Sequence, residues 1–210
     1  MEICQIGDEG GMTLVKPVIL VVDMLKDTFQ GKDTSSIKEY LSIVPRIRNL
    51  LNGARKLKIP IIFACDSFLE NDFIFKGKRP YSLRGTEGAK VIDELRPRRK
   101  DRILPKRRFS AFFKTDLDQT LRTLGIDTVV VAGINTHVCV YTTAMDSVAN
   151  DFYTIVLEDC SASYHKETHQ GIINLLKGSI LYPLLRVMSL KEFQKEVVKP
   201  KGLHKVQKGY

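Results

Sequence analysis

The chain has 210 residues, 43% of them hydrophobic and 27% charged, with a formal net charge of +9. That composition is ordinary for a globular protein and excludes collagen-like or low-complexity chains. A chain this long buries roughly 70% of its unfolded surface, so it needs no disulfide or metal staple. In chain order, PVILVVD (17–23) reads as a buried strand, and 35–58 as a helix, with Ile37, Leu41, Val44, Ile47, Leu50, Leu51 and Ala54 spaced by three or four. Pro45 is expected to kink that helix. IPIIFAC (59–65) is a second strand, followed by a long polar and aromatic connection over 66–87. A short helix is predicted at 88–95, a third strand at 101–106, and a helix at 115–124 capped by Thr115 or Asp116. Strands at 127–132 and 153–158 flank a helix at 137–150. A helix at 166–177, a strand within 180–188 and a short helix capped by Ser189 complete the series.

Strands that alternate with helices and are continuously apolar predict a parallel sheet covered on both faces. The expectation is an α/β fold of three layers, α/β/α, Rossmann-like, with a mainly parallel six-stranded sheet. One domain is expected over 13–198, with 1–12 as an extension and 199–210 as a basic tail. In such sheets ligands bind beyond the C-terminal strand ends. The residues predicted there are Asp23, Asp66, Lys106, the stretch from Gly133 to Cys139, and Asp159.

The four cysteines (Cys4, Cys65, Cys139, Cys160) show no CxxC pair and no zinc-type spacing. Met1–Gly11 is polar and acidic rather than signal-like, and no run reaches the roughly 20 apolar residues of a membrane span. The expectation is a cytoplasmic protein with reduced thiols and no membrane partner. Residues 96–108 (RPRRKDRILPKRR) hold eight basic residues and one acid, and 191–210 holds six lysines against two glutamates. Without a nucleic-acid motif these read as solvated surface, and no nucleic-acid partner is expected.

VVVAGINTHVCVYTTAMD (129–146) carries most of the chemistry. An apolar run meets a glycine and a short polar turn, and Cys139 then opens a helix. A thiol at a helix N-terminus is expected to favour the reactive thiolate. Asp23 and Lys106 are expected at the same sheet edge. A carboxylate can take the thiol proton, and an ammonium can hold the carboxylate ionised. His137 lies two residues before Cys139 and points elsewhere on the helix. His165 and His169 in HKETH read as surface positions, and Cys160 as a buried structural thiol.

Three ordered motifs resemble the isochorismatase-like cysteine hydrolases. VVDMLKDTF supplies Asp23, Asp27 and Phe29, KRRFSAF runs from Lys106 to Phe112, and the nucleophile motif runs from Gly133 to Asp146. GTEGA at 85–89 is a further match, and the similarity spans about residues 15 to 190. The resemblance implies Cys139 as nucleophile, Asp23 as general base and Lys106 as the third triad member. It also implies a cis peptide at Ile134–Asn135, with the backbone N–H groups of Asn135 and Cys139 receiving an oxyanion. A homo-oligomer, dimer or tetramer, is expected on the same ground.

The pattern departs from the nicotinamidases in that family. They resemble D-x-H after the second strand, with a further histidine downstream, and bind a metal. Here the residues are Asp66-Ser67-Phe68, with Tyr81 near the downstream position. An aspartate without imidazole partners is a poor transition-metal site, so no metal and no cofactor are expected. Phe29, Phe68 and Tyr81 are instead expected to wall a substrate pocket. Cys139 argues against the vinyl-ether chemistry of isochorismatases. The expected activity is hydrolysis of a small amide or N-carbamoyl substrate, resembling that of N-carbamoylsarcosine amidase, with an anionic substrate and Arg107 or Arg108 nearby as a further expectation. The alternatives are a nicotinamidase and a catalytically inactive basic binding protein on the same fold.

Overall fold

The computed structural model describes residues 16–30 and 34–198, with 34–36 and 198 described as backbone only. The expected 1–12 extension and 199–210 tail lie outside these residues. Among the described residues six strands form one sheet: β1 (Pro17–Val22), β2 (Ile61–Asp66), β3 (Arg102–Lys106), β4 (Thr128–Ile134), β5 (Tyr153–Ala162) and β6 (Leu185–Met188). The order is β3-β2-β1-β4-β5-β6, and every pairing is parallel. The helices are α1 (Lys26–Phe29), α2 (Thr34–Lys56), α3 (Leu117–Thr123), α4 (Tyr141–Ala149), α5 (Lys166–Lys177) and α6 (Leu190–Val198). β1, β2 and β4 are buried almost throughout, so the sheet is covered on both faces. One face packs Ile19, Val21 and Phe63 against α2 residues such as Ile47 and Leu51. The other packs Leu20, Val22 and Val131 against Leu121, Ala144 and Ile173.

The strand order reverses direction between β1 and β4, so the switch-point crevice opens beyond their C-terminal ends. Gly133 makes that pairing possible. Its φ is +117°, and a Cβ there would lie 2.1 Å from the Val22 carbonyl oxygen.

Several expected elements change shape. The predicted helix at 88–95 is two 3₁₀ turns, Glu87–Ala89 and Asp93–Leu95. Between them the chain is extended, because Val91 bridges Leu25 and Ile92 donates its N–H to the Met24 carbonyl. The strand expected over 180–188 is regular only from Leu185. Ile180 is 98% exposed, and Tyr182–Pro183 is a cis bond. β5 runs on to Ala162, with its register to β4 shifting past Val131. Asp159 therefore lies within the strand and not at its end, where it accepts the Leu190 N–H at 2.8 Å. Two caps are satisfied by side chains. Thr115 Oγ1 accepts the Leu117 N–H, and Ser189 and Glu192 form a reciprocal capping box at the start of α6. Asp116 holds the N-cap position of α3 but pairs with Arg102 instead. Pro45 lies inside α2.

Candidate active site

Asp23 follows β1 in a left-handed conformation, φ 52°, which L residues other than Asn and Asp rarely take. Its N–H is held by the Ala64 carbonyl at 2.9 Å, and its carbonyl accepts the Leu25 N–H at 2.8 Å. The turn directs the carboxylate across the C-terminal end of β2, where Oδ1 accepts the Asp66 N–H at 2.8 Å. Asp66 and Lys106 are in register as the last residues of β2 and β3. That register brings the lysine to Asp66, and the turn at Asp23 brings the second carboxylate to it.

Lys106 is 1% exposed. Its Nζ lies 2.7 Å from Asp23 Oδ2 and 2.5 Å from Asp66 Oδ1, and it donates to the Arg108 carbonyl at 3.2 Å. Burial would discharge the amine, but the carboxylates of Asp23 and Asp66 outweigh it and hold the lysine as ammonium. Burial, reinforced by the charge of Asp23, pushes the Asp66 carboxyl up to about 7 against the opposing pull of Lys106.

Cys139 sits in a five-residue π turn, Thr136–Val140, that leads into α4. Such turns recur at functional sites. The carbonyl of Asn135 accepts the N–H groups of Val138 and Val140, and the Asn135 side chain accepts the Tyr40 hydroxyl at 2.7 Å. Two further bonds tie the turn to the region of α5: Thr136 Oγ1 to His169 Nδ1, and His137 Nδ1 to Ser163 Oγ, both at 2.9 Å. The Ile134–Asn135 peptide is cis. The ligand atoms of Asp23, Asp66 and Cys139 all lie within 4.8 Å of one another.

The thiol differs from the expectation of a resting thiolate. Burial is the largest influence on it, followed by the charge of Asp23, and together they push its pKa well above the ordinary thiol range despite Lys106. The charge of Asp66 acts in the same direction. Burial thus favours the neutral thiol beside the Asp23 carboxylate, and its activation needs a base rather than a helix terminus.

A cavity of about 520 Å³ opens above this cluster. Asp23, Asp66, Asn135 and Cys139 line its floor, and Ile74, Tyr81, Phe109, Val138 and Tyr164 supply apolar and aromatic surface. Of the three expected pocket aromatics the structure brings Tyr81 to the cavity and does not bring Phe29 or Phe68. Phe68 is 1% exposed inside a cluster of edge-on rings with Phe75 and Tyr81. Phe29 packs edge-on against Tyr40. Arg107 and Arg108 turn away as well, both toward the buried Asp72. The cationic lining residue is Lys78, which forms no ion pair with any described residue. Asp27 also lines the cavity, but one oxygen accepts the Ser82 N–H at 2.7 Å. The other stands 2.0 Å from where a Cβ on Gly88 would lie, which explains a glycine in GTEGA.

A transition metal fits this cluster poorly. Asp23 and Asp66 already share the Lys106 ammonium, and Phe68 occupies an aromatic core where the nicotinamidase pattern has an imidazole. His169 is engaged with Thr136, and the His165 ring stacks edge-on against Tyr164. Cys160 is fully buried in the core.

The parallel sheet in this order, with a thiol, carboxylates and a lysine at its switch point, defines an isochorismatase-like α/β hydrolase. Residues 17–189 match the isochorismatase domain. The crystal structure of N-carbamoylsarcosine amidase from Thermoplasma acidophilum superposes with a TM-score of 0.73 at 30% identity, covering 84% of this chain and 97% of that one. A probable inactive nicotinamidase of Arabidopsis thaliana is 31% identical over 172 residues, 76% of this chain and 87% of its own length. A ureidoacrylate amidohydrolase of Stutzerimonas stutzeri is 32% identical over 163 residues, 67% of this chain. The match spans only 62% of that relative's length. The chain belongs to the isochorismatase family and is a hydrolase.

Among the described residues no helix is long and apolar enough to cross a membrane.

Proposed function

We propose that the protein is a cysteine amidohydrolase that cleaves the C–N bond of a small amide or N-carbamoyl compound without a metal. The observation that carries this reading is the Cys139 thiol within 4.8 Å of the Asp23 carboxylate beneath an open cavity, with Lys106 Nζ 2.7 Å from that carboxylate. Asp23 takes the thiol proton as Cys139 attacks the carbonyl carbon, forming a tetrahedral intermediate. The backbone N–H groups of Asn135 and Cys139 are assigned to its oxyanion. Asp23 returns the proton to the departing nitrogen, leaving a thioester. Asp23 then draws a proton from water as it attacks the thioester, and the thiol is restored. Lys106 holds the Asp23 carboxylate in place through their ion pair and so acts as a positioning group.

The N-carbamoylsarcosine amidase and ureidoacrylate amidohydrolase relatives support a ureido substrate. Lys78 at the cavity favours one bearing a carboxylate. The buried Phe68 weighs against the nicotinamidase alternative. Ammonia release from a panel of ureido acids, linear amides and nicotinamide tests the reading in wild type and Cys139→Ala. Turnover is expected on ureido acids and is expected to vanish in the variant. Turnover surviving in Cys139→Ala removes the thiol from the mechanism. No turnover on any member, with no labelling of Cys139 by a small thiol reagent, favours the inactive binding protein.

A further inference from the structure

A second cavity lies at the opposite edge of the sheet and encloses about 770 Å³. It opens where β2 and β3 begin, since both Ile61 and Arg102 line it. With parallel strands of this length it lies roughly 20 Å from the Cys139 cavity. The two share no residue. A smaller cavity of about 360 Å³ shares Arg102, Thr120 and Leu124 and prolongs the groove.

The floor is apolar, with Ile59, Pro60 and Leu124 at its surface. The rim carries six cations: Arg55, Lys58, Arg98, Arg99, Lys100 and Arg102. Its acid, Asp101, is already engaged by Arg55 at 2.5 Å and by the Arg98 N–H at 2.8 Å. Arg102 is held by Asp116 at 2.5 Å and Thr120 at 2.8 Å. Lys58, Arg98, Arg99 and Lys100 form no ion pair with any described residue. Unneutralised cations around a concave, low-dielectric floor concentrate positive potential on that floor. A second copy of this chain brings the same excess of positive charge and is a poor occupant. An extended nucleic-acid backbone has no use for an apolar pocket, whereas a compact anion with a ring uses both the rim and the floor.

We propose that this cavity is a second small-molecule site, for an organic polyphosphate of the nucleoside-diphosphate type. The ring lies against Pro60 and Leu124, and the phosphates meet Lys58, Arg98 and Arg99. Guanidinium groups suit this task because they bind phosphate oxygens two at a time. Occupancy there is independent of the hydrolytic reaction.

The test is isothermal titration of ADP, and separately of inorganic pyrophosphate, into the full-length protein and two variants. Arg98→Ala/Arg99→Ala removes rim charge. Leu124→Trp keeps every charge and fills the floor at a position already 46% exposed. One ADP per chain is expected, bound about tenfold or more tightly than pyrophosphate, and each variant is expected to weaken ADP about tenfold. Circular dichroism verifies that both variants are folded. No saturation at millimolar ADP overturns the proposal. So does pyrophosphate binding as tightly as ADP, or ADP binding Leu124→Trp as it binds wild type, since either reduces the cavity to a basic patch.

Discussion

Asp66 and Asp72 stand six residues apart, both buried, and both face cations from the segment 106–108. Their acidities move in opposite directions. Asp66 is pushed up to about 7 by burial and by Asp23. Asp72 is pulled down to about 2, first by the Arg107 hydrogen bond and then by the Leu69 N–H. Burial dominates at Asp66, and stoichiometry adds to the difference. Asp72 has two guanidinium groups for one carboxylate, whereas Asp66 shares one ammonium with Asp23. The clamp at Asp72 is a structural pairing that fixes the loop after β2. The floor of the cavity is short of positive charge, and that shortage leaves a proton to be moved at neutral pH.

The largest effects are expected at the floor. Cys139→Ser should lower amide turnover on the order of 10⁴-fold or more with the fold retained, as steady-state kinetics and circular dichroism would show. Arg107→Met, at the clamp, should change turnover less than about tenfold. Equal losses would erase the functional distinction between the two regions. Lys106→Met leaves two buried carboxylates uncompensated and is expected to cost about 3–5 kcal/mol in urea unfolding. Arg107→Met should cost well under that, because Arg108 still faces Asp72 and the Arg107 side chain is 43% exposed.

The pH dependence separates the two aspartates by sign. Asp66 is raised in the folded state, so its contribution to stability is full below about pH 4 and is lost as pH rises toward 7. Asp72 is lowered, so its contribution is full above about pH 4 and is lost as pH falls toward 2. Urea midpoints against pH should show Asp66→Asn flattening the first window and Asp72→Asn the second. Flattening of the same window by both would refute the contrast. The smallest effect is at the rim of the cavity. Lys78→Met should raise KM for a carboxylated ureido substrate about tenfold while kcat changes little, and a neutral amide should not notice the change.

The sheet was readable because both-face burial leaves strands such as PVILVV and TVVVAGI continuously apolar. Asp23, Lys106 and Cys139 were readable as strand-end residues within ordered motifs. Asp66 was readable as the end of the second strand and as an aspartate without imidazole partners. Its part in the lysine pair depends on the β2–β3 register, which no local pattern encodes. Phe68 and Arg107 were assigned to the pocket by proximity along the chain. Their side chains follow tertiary partners instead, Phe75 for one and Asp72 for the other. The helix expected at 88–95 likewise yields to a bridge between Val91 and Leu25.

The protonated state of Cys139 has a consequence for how the protein meets its chemical surroundings. Peroxides and alkylating agents consume thiolates, and a resting thiol that is 8% exposed offers them little anion. A reagent must enter the cavity and be small enough to let Asp23 remove the proton. The same burial that makes the thiol depend on a base therefore also limits how such reagents reach it.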